Sequence, residues 1–313
     1  MRARRRAAEL LEKLDKPNQS VPARPIGRLD WRSCFTPDAY RAAVKRVIDY
    51  IFAGDIFQAN LTQRFLADLP KDHEPAALYL SLRERNPAPF AAYVGAGDTS
   101  VLSTSPERFL KLTDGAVETR PIKGTRRRAE NEEADAAIRE ELLASEKDRA
   151  ENIMIVDLLR NDLSRVCRPG SVEVKEYCAL KSYETVHHLV STVTGTLEEG
   201  RDAIDLLKAA FPGGSITGAP KIRAMEIIAE LEPVTRGPYC GAIGYIGFDG
   251  AMDTNIVIRT MVIREGKAAV QAGGGIVADS NPDAEYQESL DKASALLGAL
   301  GETKGAAKAE AAE

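Results

Sequence analysis

Lys123 lies in Thr119-Arg120-Pro121-Ile122-Lys123-Gly124-Thr125, a basic, glycine-punctuated segment between a strand-like run and a helix-like run. An ammonium group is a poor nucleophile, because its lone pair holds a proton at a reference pKa near ~10.4. Nearby cations or an apolar wall disfavour the charged form and free the amine to attack carbon. Arg120, Arg126, Arg127 and Arg128 supply such cations in sequence. The alternative is a solvated lysine in a basic loop.

Two acidic clusters stand far apart. Asp148-Arg149-Ala150-Glu151-Asn152 opens a helical stretch that runs to Asn161-Asp162. Glu285, Glu288 and Lys292 share one helix face, because their steps are three and four residues. Carboxylates converging from two helices make an oxygen-rich site of the kind Mg²⁺ accepts, with water and substrate completing the octahedron. The alternative is an exposed Glu288–Lys292 pair and a solvated helix start.

Glycines give the next signals. Gly213 to Gly218 has the outer spacing of a phosphate loop, but Ala219-Pro220 stands where that motif needs Lys and Ser/Thr, so a nucleoside triphosphatase is not expected. The turn could hold an anion on free helix amides, and Gly273-Gly274-Gly275 directly after a strand could offer a second such set; either could equally be a tight turn. His187 and His188 are adjacent in a strand-like run, so only one can face a given pocket. Arg259 is a cation inside the apolar run Ile256 to Thr260, where a substrate carboxylate would match its planar fork.

The elements that must position these groups read as follows. Residues 1–15 look helical and 16–30 look like a linker rich in proline. Thr36-Pro37-Asp38 reads as an N-cap with proline in the first turn, followed by the apolar stripe Val44, Val47, Ile48 and Ile51, with Gly54 at the end. Strands are expected at 56–66, 90–96, 100–105, 108–113, 116–119, 171–181 and 184–196, and a meander at 239–248, 253–264 and 267–272. Helices are expected at 129–144, 146–163, 202–209, 219–231 and from about 282 to 300. The fold class is therefore α+β, with large, mainly antiparallel sheets flanked by helices. Three parts are expected: an N-terminal helix and linker at 1–33, a catalytic domain at 34–300 and a tail at 301–313.

Composition narrows the partners. The charge of 42 minus 47, or −5, argues against nucleic acid. No apolar run approaches the ~20 residues of a membrane span. Cys34, Cys167, Cys178 and Cys240 are scattered without zinc spacing, and read as thiols of a reducing cytoplasm.

Together these segments resemble the chorismate-utilising enzyme family, over about Cys34 to Leu300. The resemblance is carried by Ser105-Pro106-Glu107-Arg108-Phe109, Pro121 to Thr125, Asp148 to Asp162, Val186 to Ser191, Gly213 to Met225, and Ala272 to Lys292. It implies an anthranilate synthase component I-like fold and a Mg²⁺ ion that holds the ring carboxylate of chorismate. Glu151 and Glu288 match the metal ligands, with Asp148 and Glu285 beside them. Ser215, Tyr239, Arg259, Gly273, Gly274, Gly275 and Lys292 match the substrate contacts. Glu107 matches the general acid for the departing 4-hydroxyl, and His188 an active-site histidine near the ring.

Two positions choose among branches. Gln58 stands where water-using relatives carry a lysine base, which leaves ammonia as the incoming group. Relatives that aminate C2 to give anthranilate usually carry alanine at position 123. The lysine here resembles the branch that makes 4-amino-4-deoxychorismate, in which that amine adds at C2 before ammonia adds at C4. No cysteine lies in a Gly-x-Cys-x-Gly setting, so the resemblance implies a separate glutamine amidotransferase subunit as ammonia source. Alternatives are the anthranilate-forming branch, or a shortened binding module without turnover. Relatives carry a longer N-terminal region, so sheet edges are expected to be exposed.

Overall fold

The computed structural model describes residues 2–16, 27–184 and 186–298. Among these residues the strands form two seven-stranded sheets in which every pairing is antiparallel. The first runs β1 (Arg32–Ser33), β2 (Gln58–Asp68), β14 (Lys267–Ile276), β13 (Thr260–Arg264), β4 (Thr99–Ser105) and β3 (Phe90–Ala96), with β10 (Gly218–Ala219) also on β2. The second runs β11 (Ala242–Ile246), β12 (Met252–Ile256), β5 (Arg108–Thr113), β6 (Ala116–Thr119), β9 (Val186–Thr196) and β7 (Ile122–Arg127), with β8 (Glu173–Ser182) on the far edge of β9. Eight helices are described: α1 (Arg2–Asp15), α2 (Pro37–Phe52), α3 (Pro75–Arg85), α4 (Glu132–Ala144), α5 (Glu146–Ser164), α6 (Ala203–Ala210), α7 (Lys221–Leu231) and α8 (Pro282–Gly298). None is long and apolar enough to cross a membrane. The expected tail and most of the expected linker lie outside the described residues.

Local chemistry sets these elements. The Thr36 hydroxyl accepts from Ala39 N at 3.2 Å and Pro37 fills the first turn of α2, whose Tyr40, Val44 and Val47 are buried. Ser145 caps α5, which buries Asn152, Ile155, Val156, Leu159 and Leu163 on one face and leaves Glu151 at its edge. The larger core packs α5 and α6 on the second sheet through Phe109, Leu163, Val193 and Leu206. Further clusters pack α2, α3, α7 and α8 on the first, through Val44, Leu82, Ile227 and Leu296. Burying each such side chain contributes about 1.5–3 kcal/mol over leaving it in water.

The sheets meet where the chain crosses between them. β4 leads into β5 through Pro106-Glu107, and β12 leads into β13 through Val257-Ile258-Arg259. Because β13 pairs with β4 and β12 with β5, the two crossings lie side by side. The Thr104 amide and hydroxyl donate to the Arg259 carbonyl at 3.0 and 2.9 Å, and the Ile256 amide donates to the Glu107 carbonyl at 3.1 Å. An acid and an arginine are thereby fixed at the junction.

Four expectations change. The run 253–264 is two strands in different sheets rather than one, and Arg259, at φ +50°, is the break between them. The C-terminal meander is therefore two hairpins, β11–β12 and β13–β14. The Lys123 segment is strand β7 rather than a loop, and the glycine triplet lies within β14 rather than after it. Helix α3 was not anticipated; Pro75 opens it, and Leu78 and Leu82 are its buried i, i+4 pair.

Candidate active site

Glu107 is 5% exposed, and burial pushes its carboxyl up to about 7, against the Ser215 hydroxyl, which donates to Oε1 at 2.7 Å, and the nearby Lys123 charge. A carboxylic acid that keeps its proton near neutrality can hand it to a leaving oxygen. Ser215 sits in a 3₁₀ turn, Gly214–Ile216. A Cβ on Gly213 would stand 2.6 Å from Ile256 Cδ1, and one on Gly214 2.5 Å from Leu158 Cδ2. These glycines permit close packing behind Ser215, which settles the tight-turn reading at that loop.

Lys123 reaches the same space through a bulge. β7 pairs with β9 but slips register between Lys123 and Thr125, with Gly124 at φ +79°. A side chain at 124 would press on Leu142 Cδ1 and Asp148 Cβ, each at 3.0 Å, so glycine is required there. The bulge turns Lys123 inward: its side chain is 13% exposed and its Nζ lies 3.6 Å from Glu151 Oε2. That burial excludes the solvated-loop alternative.

The glycine triplet forms the opposite wall. Gly273, Gly274 and Gly275 pair with Thr62, Leu61 and Asn60 of β2. A Cβ at 274 would lie 3.0 Å from Glu285 Oε2 and 3.2 Å from Glu288 Oε1. One at 275 would overlap the Gln58 amide and stand 3.1 Å from Lys123 Nζ. Lys292 Nζ donates to the Gly273 carbonyl at 3.0 Å and pairs with Glu288 at 2.5 Å. Burial works against ionisation of Glu288, but Lys292, Lys147 and Lys123 outweigh it and hold its carboxyl below the ordinary value. Asp148, by contrast, is taken by Arg126 at 3.1 Å.

The donor set fits a hard divalent cation. Glu285 is 3% exposed, and its Oε2 is buried with no hydrogen-bond partner among the described residues, while Gly274 leaves a cradle beside it and Glu288. No group of three or more His, Cys, Asp or Glu among the described residues is arranged to hold a metal ion by itself. Mg²⁺ tolerates that, since one or two carboxylates with water and substrate complete its shell.

His188 and Arg259 lie on the remaining sides. His188 is held neutral, its pKa pushed down to about 4 by burial and then by the Arg259 charge, and its Nδ1 is 2.8 Å from Thr125 Oγ1. The Arg259 guanidinium donates to the Lys292 carbonyl at 2.5 Å and has no carboxylate partner among the described residues. Tyr239 is buried, with its hydroxyl pushed well above the ordinary value by burial and by Cys240. The loop carrying it is tied down by Arg236, which donates to Ile216 O at 2.8 Å and to Glu232 at 2.6 Å.

In sequence, Gln58 stood out only as the residue in the place of a lysine base, with no contact assigned to it. It is fully buried, and both its amide atoms lack partners among the described residues. Lys147 also went unremarked, although its i, i+4 spacing to Glu151 was visible; its Nζ lies 4.0 Å from Glu151 Oε1 and 3.7 Å from Glu285 Oε1.

Comparison with known proteins bears on family and fold. A family model described as chorismate binding enzyme matches residues 1–298. Aminodeoxychorismate synthase component 1 of Salmonella typhimurium is 50% identical over 282 residues, covering 90% of this chain and 62% of that protein. Anthranilate synthase component 1 of Aquifex aeolicus is 48% identical over 271 residues, covering 87% of this chain and 54% of that protein. The crystal structure of anthranilate synthase component I from Streptococcus pneumoniae superposes with a TM-score of 0.84 at 39% identity, over 94% of this chain and 65% of that one. The chain thus spans about three fifths of the length of the curated relatives it matches.

Proposed function

The chain belongs to the chorismate-binding enzyme family, and from that premise we propose that it is an aminodeoxychorismate synthase component 1. It would act in the cytoplasm on chorismate, with ammonia from a glutamine amidotransferase subunit. The observation that carries this reading is the Lys123 amine, turned inward by a bulge, 3.6 Å from Glu151 and within electrostatic reach of the acid Glu107.

Glu151 and Glu288, with Glu285 beside them, would hold Mg²⁺. When bound, that ion supplies a fixed charge that anchors the substrate's ring carboxylate. Arg259, with no carboxylate of its own, takes the second carboxylate of the dianion. The Lys123 nitrogen bonds to C2 as both ring double bonds shift around the ring and the C4–O bond breaks, and Glu107 delivers the proton that lets the oxygen leave as water. Ammonia then bonds to C4 while the C2–N bond breaks and the amine returns to Lys123. A proton from the ammonia restores Glu107, so the net change is replacement of hydroxyl by amine with release of water. Neutral His188 and buried Tyr239 wall the ring and keep water out of both steps.

The second reading is an anthranilate synthase, favoured by relatives of that name at 48% identity. Chorismate, Mg²⁺ and ammonium are supplied to the protein and the products separated by chromatography. Aminodeoxychorismate is the expected product, and anthranilate alone would overturn the assignment.

A further inference from the structure

Three carboxylates border the glycine strand, and three lysines neutralise them. Glu151 meets Lys123 at 3.6 Å and Lys147 at 4.0 Å, Glu285 meets Lys147 at 3.7 Å, and Glu288 meets Lys292 at 2.5 Å. These ammoniums differ in freedom. Lys123 is 13% exposed, and Lys292 is also bonded to the Gly273 carbonyl. Lys147 is 54% exposed and makes no hydrogen bond among the described residues, yet it joins carboxylates from α5 and α8.

We propose that Lys147 is the exchangeable counter-cation of this acid cluster: it holds Glu151 and Glu285 together when no divalent ion is bound and swings into solvent when Mg²⁺ takes their oxygens. This rests on the Mg²⁺ reading above. Two carboxylates within reach of one ammonium repel each other once it is removed. An ammonium at 3.7 Å from Glu285 Oε1 and 4.0 Å from Glu151 Oε1 competes with a divalent ion for the same oxygens. A side chain already more than half in water leaves at little desolvation cost, since its long stem carries the charge outward. Glu285 Oε2, buried without a donor, is the atom such an exchange would satisfy.

The test is calorimetric titration of Mg²⁺ without chorismate, checked by electron paramagnetic resonance with Mn²⁺, on the parent, Lys147→Gln, Lys147→Arg and the exposed-strand control Lys175→Gln. Lys147→Gln is expected to bind Mg²⁺ about three- to tenfold more tightly, with the gap narrowing as salt rises. Lys147→Arg and Lys175→Gln are expected to stay at the parent affinity. Equal or weaker binding by Lys147→Gln overturns the assignment. Absence of Mg²⁺ uptake by the parent, with or without chorismate, overturns the Mg²⁺ reading and this inference together. Amine acylation of the parent, read by peptide mass spectrometry, gives a measurement independent of folding by the variant. Labelling at Lys147 should accelerate several-fold with Mg²⁺ while Lys175 stays constant, and an unchanged Lys147 rate contradicts the exchange.

Discussion

Strand β9 sends two adjacent histidines into two polar clusters that differ in one respect. On one face His187 is fully buried, with Nδ1 2.8 Å from Ser182 Oγ and Nε2 2.9 Å from Asp135 Oδ1. Asp135 also accepts from Arg128 at 2.8 Å and from the Ala129 amide at 3.1 Å, and Arg128 first and His187 next hold its carboxyl far below the ordinary range. That cluster is closed. On the other face, His188 feels the charge of Arg259, which has no carboxylate partner among the described residues, while along the nearby glycine strand a Gln58 amide and a Glu285 oxygen are buried without hydrogen-bond partners among those residues. Buried polar groups are almost always paired in a finished core, so unfinished valences gathered in one place mark where a ligand completes the set.

The difference can be broken from either side. The largest effect is expected at Glu107→Gln, which keeps the Ser215 contact but has no proton to give: turnover of chorismate should fall by about 10²–10⁴-fold, measured at saturating ammonium. In the parent the same carboxyl, at about 7, is a competent acid only while protonated, so turnover should decline as pH rises through that value. Next comes Arg259→Ala, expected to raise KM for chorismate by about 10–100-fold with a smaller change in kcat, because it loses a buried charge-assisted contact to the substrate.

The closed cluster should respond in stability and not in chemistry. His187→Ala leaves Ser182 and Asp135 short of a partner, and should lower the melting midpoint by about 5 °C while KM stays at the parent value. Smallest is the pH response of His188. Its folded pKa, about 4, lies below the ordinary value of 6.5, so the folded state favours the neutral ring. The resulting stability is full above 6.5 and is lost as pH falls through about 4. His188→Asn should flatten the melting profile across that window, as followed by thermal unfolding at stepped pH.

Much of this site was legible in sequence and part was not, for physical reasons. The helix opened by Thr36-Pro37 and the strands 90–96, 108–113 and 116–119 were legible because caps and alternation are local signals. Glu285 and Glu288 could be put on one face because helical spacing fixes which carboxylates share it, whereas Glu151, on another helix, was singled out only by the family resemblance. Lys123 was recognised but its strand was not, since Gly124 reads as a turn when its bulge partner, His188 of β9, lies 64 residues away along the chain. Arg259 looked like a strand interior because apolar residues run through it. Only the pairing of β12 and β13 with strands of different sheets makes it a junction. The unpaired Gln58 amide is a product of β2, β14 and β7 meeting at Gly275, and no local pattern encodes it.

The most direct measurement is covalent. The protein is mixed with chorismate and Mg²⁺ without ammonia, quenched in acid, and examined by intact mass and peptide mapping. We expect an adduct equal to chorismate less water on the peptide that contains Lys123, absent from Lys123→Ala and discharged when ammonium is added before the quench. Aminodeoxychorismate formation at parent rate by Lys123→Ala, with no adduct on the parent, would contradict the account.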